Sequence, residues 1–189
     1  MRLMVDLCLL WRLCAPLERL FGPWVCAFVF VVGGAGGNLL GSVVLPHWLS
    51  TGPGPGLMAA VGALLWVQVF HLPGFGLNGN LLFLLLLVAV ALVFGCFPGV
   101  DNWAQVGGLV FGFVAAANVL ATRSRRLSAP AHYAIVVCTT MAHLVLLALL
   151  LTVLFARVDV DSPCTWCADA TCYPSHDWCN STLRLARSS

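Results

Sequence analysis

From Leu20 through Val100 the chain carries no aspartate, glutamate, lysine or arginine. No soluble domain tolerates such a gap, because about 25% of the residues in a water-facing fold are charged. Only 8% are charged here, against 61% hydrophobic, too few to cover a surface. The gap alone has room for three membrane spans of about 20 residues each. Proline, glycine and charge punctuate the rest, giving spans near 3–15, 23–45, 55–71, 79–97, 102–121 and 130–156. Runs such as "LLFLLLLVAVALVF" lack the period of two that a lipid-facing barrel strand needs. The expected fold is therefore all-α: a polytopic membrane helix bundle of about six spans, the first one truncated.

The first span is too short to cross fully and begins at Met1. It runs into Arg12, Cys14 and Pro16 without a cleavage site, so no signal peptide is expected. The pattern is that of a larger membrane fold missing its start. We divide the chain into a core over 1–121, an additional helix over 130–156 and a tail over 157–189.

Orientation follows from charge. Arg123, Arg125 and Arg126 lie between the last two spans, which places that connection in the cytosol. The tail then lies on the lumenal or extracellular side, in the secretory pathway or at the plasma membrane. Cys164, Cys167, Cys172 and Cys179 crowd this tail. On the oxidising side they are expected to form two disulfides, with no pairing preferred. A zinc site at Cys164 and Cys167 is the alternative. Asn180 opens an Asn-Ser-Thr glycosylation acceptor that is usable on the same side. Cys8, Cys14, Cys26, Cys96 and Cys138 read as small buried hydrophobes. Trp24, Trp48, Trp66 and Trp103 fall near span ends, as an interfacial belt requires. Counting spans back from the tail puts the starts of spans 1, 3 and 5, near Arg2, Gly54 and Gln105, on one membrane face.

Three stretches stand out: "LCAPLERLFGPW" (13–24), "TGPGPGLMAAVGALL" (51–65) and "DNWAQVGGLVFG" (101–112). In this order and spacing they resemble the rhomboid intramembrane serine proteases, over residues 1 to about 121. Residues 51–65 resemble the family's serine turn, residues 101–112 its histidine motif, and residues 13–24 the loop after its second helix. The last span and the tail resemble eukaryotic members with a seventh helix, above all the inactive rhomboids. The resemblance implies that Gly54 stands at the nucleophile position and Gln105 at the base position. It also implies that Arg2 and Asp6 stand where oxyanion-supporting residues belong.

None of the four fits the chemistry. Nucleophilic catalysis needs a hydroxyl or thiol beside a general base, and no Ser, Thr or Cys occurs from Gly52 through Gly95. Glutamine does not exchange a proton near neutral pH. A carboxylate at Asp6 opposes an oxyanion, and Pro55 lacks an N–H in a turn where active members use backbone donors. Arg2 and Asp6 are spaced to pair across one helical turn. Gln105 is expected to face protein, within the old catalytic cavity. Gly108 with Gly112, and Gly33 with Gly37 and Gly41, are expected to let helices approach closely, span 5 against span 3 in particular. His143 is read as structural, facing the bundle and donating to a backbone carbonyl. His47, His71 and His132 sit in turns or at helix ends.

The expected function is that of a catalytically inactive rhomboid-like protein that binds transmembrane clients and affects their trafficking or degradation. Its partners would be the lipid bilayer and those clients. No nucleic acid, small-molecule substrate, cofactor or metal is expected. Two alternatives are an active endopeptidase using Ser50 or Thr51 with His47, and a small transporter or channel using Asn38, Ser42 and Gln68. A truncated gene product is a further possibility.

Overall fold

The computed structural model describes residues 2–45, 52–70, 78–95, 100–121 and 129–156. Within them the chain forms helices and no strand: α1 (Arg2–Phe21), α2 (Pro23–Val44), α3 (Gly54–Phe70), α4 (Asn78–Phe94), α5 (Asn102–Ala121) and α6 (Ala129–Phe155). The tail, with Cys164, Cys167, Cys172, Cys179 and Asn180, lies outside the described residues, as do Cys96, His47, His71, Ser50, Thr51 and the arginine-rich connection.

The first helix corrects the sequence reading. It passes through Pro16 and ends at Phe21, so most of the stretch 13–24 is helix and not loop. Pro16 removes one intrahelical hydrogen bond, but Leu13 and Leu17 on either side are each 1% exposed and anchor that turn in the core. The break comes at Gly22, with φ 88° and ψ 164°, a conformation open in practice only to glycine. Its N–H closes on the Glu18 carbonyl at 2.8 Å. Pro23 then starts α2, where a first-turn N–H has no intrahelical partner to lose.

The centre of the bundle is α2, α3 and α5. The α3–α5 interface is the most extensive in the molecule and α2–α5 comes next. Around this trio, α1 leans on α2 and α3, α6 packs on α5, and α4 rests chiefly on α3. The core is built from small and branched residues, including Val29, Ala59, Val61, Ala63, Val67, Ala115 and Ala116. In lipid no hydrophobic force drives helices together, so close packing must do so. Glycine provides it. A Cβ at Gly108 would overlap the Pro55 carbonyl, one at Gly112 the Ala59 backbone, and one at Gly37 the Ala104 carbonyl. Gly33 lies against Ala59, and Gly41 against Asp101.

The outer surface is apolar. Val137, Met141, Leu144, Val145 and Leu149 of α6 are all exposed. A surface of that kind would drive a water-soluble monomer to aggregate, whereas lipid solvates it. Pro23–Val44 and Tyr133–Phe155 are each long and apolar enough to cross a bilayer, while Gly54–Val69 and Leu81–Phe94 are shorter apolar segments.

Candidate functional site

Two helix starts meet at the centre. Before α3, Gly52 adopts φ 127°, and the Leu57 N–H reaches the Pro53 carbonyl at 3.0 Å to close the turn. Gly54 is the first residue of α3. Pro55 sits in the first turn, where a missing N–H is tolerated. It is buried between α2 and α5: a Cβ at Gly37 would lie 2.9 Å from the Pro55 Cβ.

Asp101 starts α5. Its side chain, 4% exposed, accepts a hydrogen bond from the Trp103 N–H at 2.8 Å, and its carbonyl accepts the Gln105 N–H at 3.1 Å. This is an N-cap, which supplies an acceptor to amides that the helix leaves unpaired. Burial pushes the Asp101 carboxyl above the usual carboxylate range, against the opposing pull of the Ala104 and Trp103 N–H groups. A carboxylate that supports no exposed chemistry is thus committed to starting the helix that carries Gln105.

Gln105 lies one turn further on and is 5% exposed. A Cβ built on Gly54 would lie 3.9 Å from both Cγ and Nε2 of Gln105. The Oε1 is buried without a hydrogen-bond partner among the described residues. The structure therefore brings Gly54 and Gln105 together, with an open acceptor and, among the described residues, no hydroxyl, thiol or imidazole within 4 Å of an added Cβ at Gly54. Asp6 is half-buried on α1, and α1 leans on α2 and α3 instead of α5. The side chain of Arg2 lies outside the description, as does that of His132.

Other polar groups have local duties. His143 on α6 meets Phe111 edge-on at 5.5 Å and lies by the Thr139 and Phe111 carbonyls. Asn118 on α5 donates to the Thr140 hydroxyl on α6 at 2.6 Å. The Ser42 hydroxyl donates to the Asn38 carbonyl at 2.9 Å, and Asn38 is exposed. These two do not line an enclosed path, and the tight α3–α5 seam argues against a conduit through the trio. Of the cysteines, Cys26 is buried and Cys14 half-buried, but Cys8 and Cys138 are exposed, contrary to the expectation that all were buried. Each lies on an outward face of a peripheral helix.

Three contributors escape sequence reasoning. Asp101 carries no role in the sequence reading, though an Asp directly before a periodic segment is a cap signal. A Cβ at Gly62 would overlap the Leu109 carbonyl, and one at Gly36 would meet the Phe111 ring. The signal for these two glycines is the small-residue context of "AAVGA" and "VGGAGG".

An all-helical bundle with an apolar exterior fits the class of helical membrane proteins. The chain belongs to the rhomboid family: a family model described as Rhomboid domain matches residues 1–122. It is 26% identical to RHOMBOID-like protein 2 of Arabidopsis thaliana over 179 residues, covering 86% of this chain and 56% of that protein. It is 29% identical to RHOMBOID-like protein 4 of the same plant over 182 residues, covering 87% and 45%. Similarity to Inactive rhomboid protein 1 of Papio anubis is 28% over 177 residues, covering 92% of this chain and 20% of that one. The chain spans about half the length, or less, of these relatives.

Proposed function

We propose that this chain is a catalytically inactive rhomboid that holds transmembrane clients without cleaving them and thereby affects their trafficking or degradation. One observation carries the reading. At the junction of α3 and α5, where Gly54 is taken as the nucleophile position and Gln105 as the base position, the described side chain nearest to Gly54 is the Gln105 carboxamide. A serine-type mechanism needs the hydroxyl, the base and the contact between them. Here the contact survives and both reacting groups are missing. Loss of either alone lowers the rate by several orders of magnitude.

The finer topology belongs to the same proposal. The helices cross the membrane as a multi-pass bundle with the arginine-bearing connection in the cytosol and the cysteine-rich tail outside it, disulfide-bonded and glycosylated at Asn180. The core is 1–121, the added helix 130–156 and the tail 157–189. Arg2 and Asp6 are taken as the altered oxyanion positions. The test is a paired assay on the full chain in vesicles with a labelled single-span substrate. The expected result is co-isolation of intact substrate with no cleavage product. Turnover of the substrate would overturn the proposal.

A further inference from the structure

Two thiols meet across the turn between α1 and α2. Cys14 lies eight residues before Gly22 and Cys26 four after it, and their side chains hydrogen-bond to each other. Packing holds the pair in place. Cys26 is buried in the core cluster with Leu13, Leu17 and Val29, and Cys14 packs against that cluster. Both are free thiols. A cysteine that packs as a small hydrophobe accounts for either residue singly. Two sulfurs in contact have a further chemistry that neither has alone.

The pair differs from the other cysteines of the described helices. Cys8 and Cys138 are exposed, and Cys8 stands six positions before Cys14, about 120° round α1. Within the pair, access is unequal: Cys14 is half-buried and open to a reagent, whereas Cys26 is closed off. To bond, the sulfurs must close from hydrogen-bonding distance to about 2.0 Å. The backbone has slack beside them, because Pro16 removes the N–H that the Arg12 carbonyl would accept in a regular helix.

We propose that Cys14 and Cys26 are a redox-modification site, which a disulfide oxidant converts to a disulfide that fastens α1 to the core. Without it, α1 is held chiefly by its packing on α2 and α3. The chemistry is thiol–disulfide exchange. The Cys14 thiolate attacks the oxidant, forms a mixed disulfide and expels one thiol. The Cys26 thiolate then attacks the Cys14 sulfur, closes the protein disulfide and expels the second thiol. Two protein thiols are oxidised, one oxidant disulfide is reduced, and the two protons leave on the expelled thiols. The site is independent of the client-holding reading.

The experiment treats the full, reduced chain in detergent micelles with 2,2′-dipyridyl disulfide, an apolar disulfide oxidant, and maps the products by digestion and mass spectrometry. The expected product is a Cys14–Cys26 crosslink that dithiothreitol reverses. Pyridyl adducts on the exposed Cys8 and Cys138 show that the reagent reached the helices. The oxidised wild type should melt about 5–10 °C above the reduced form, and Cys14→Ala should lose that gain. A stable pyridyl adduct on Cys14 beside an unreacted Cys26 overturns the proposal, because the second thiol then fails to reach the first. So does a crosslink from either residue to a different cysteine. Silence at both positions while Cys8 and Cys138 react makes the pair inert packing and also overturns it. A Cys14–Cys26 crosslink that leaves the melting temperature unchanged or lower overturns the fastening of α1.

Discussion

Gly112 and Gly54 both lie on the α3–α5 seam, yet they are glycine for different reasons. At Gly112 a Cβ would run into the Ala59 backbone, which cannot yield as a flexible side chain would. At Gly54 the nearest atoms to an added Cβ are 3.9 Å away on Gln105, ordinary van der Waals contact. Packing dictates the first glycine and is indifferent to the other. Glycine at position 54 is therefore not imposed by lack of space, and the scaffold has room for a side chain there. On the proposed reading, shape and chemistry have separated: the seam keeps its close fit while the junction at its end lacks the reactive pair.

Substitutions break that contrast in graded ways. The largest effect is expected from Gly112→Ala or Gly108→Ala. Each forces a methyl group against a carbonyl and should destabilise the protein by about 1–3 kcal/mol, read as a fall in melting temperature in detergent micelles. Asp101→Ala comes next, at about 1 kcal/mol, because α5 loses its cap and Gln105 its fixed starting point. The charge of Asp101 adds a pH signature. Burial raises its folded-state pKa above the ordinary 3.8, so the folded state favours the proton. This stabilisation is complete below that ordinary value and is lost as pH rises through the raised one. Asp101→Asn keeps an acceptor for the cap, so its stability should fall less than that of the wild type between acid and neutral pH. A smaller loss, about 0.6 kcal/mol, is expected from Asn118→Ala, which removes the bond to Thr140 on the loosely held α6. Smallest is Gly54→Ala, within about 0.5 kcal/mol of wild type. A Gly54→Ala loss as large as that of Gly112→Ala would erase the distinction between the two glycines.

The helices were legible because lipid leaves so few choices. A charge-free run, punctuated by Gly and Pro, locates α2 to α5 within a few residues. The nearness of α3 and α5 was readable from the small residues after Gln105, which matter only if another helix lies against them. Residue 16 misled because proline is a strong break signal when read alone. Whether it ends a helix depends on Leu13 and Leu17 reaching a core, and that packing is not local. Gly62 was missed for the same reason, since its close approach exists only once α3 and α5 are assembled, whereas the Asp101 cap is local and its signal lies in the sequence.

The central claim is that Gly54 and Gln105 are an emptied nucleophile–base pair. Covalent labelling by a fluorophosphonate probe tests it directly, across the wild type, Gly54→Ser, and Gly54→Ser combined with Gln105→His. A serine alone at Gly54 has space but no base, so the wild type and the single variant should stay unlabelled, with labelling above background only in the double variant. Labelling of the wild type, abolished by Ser50→Ala, would contradict the account.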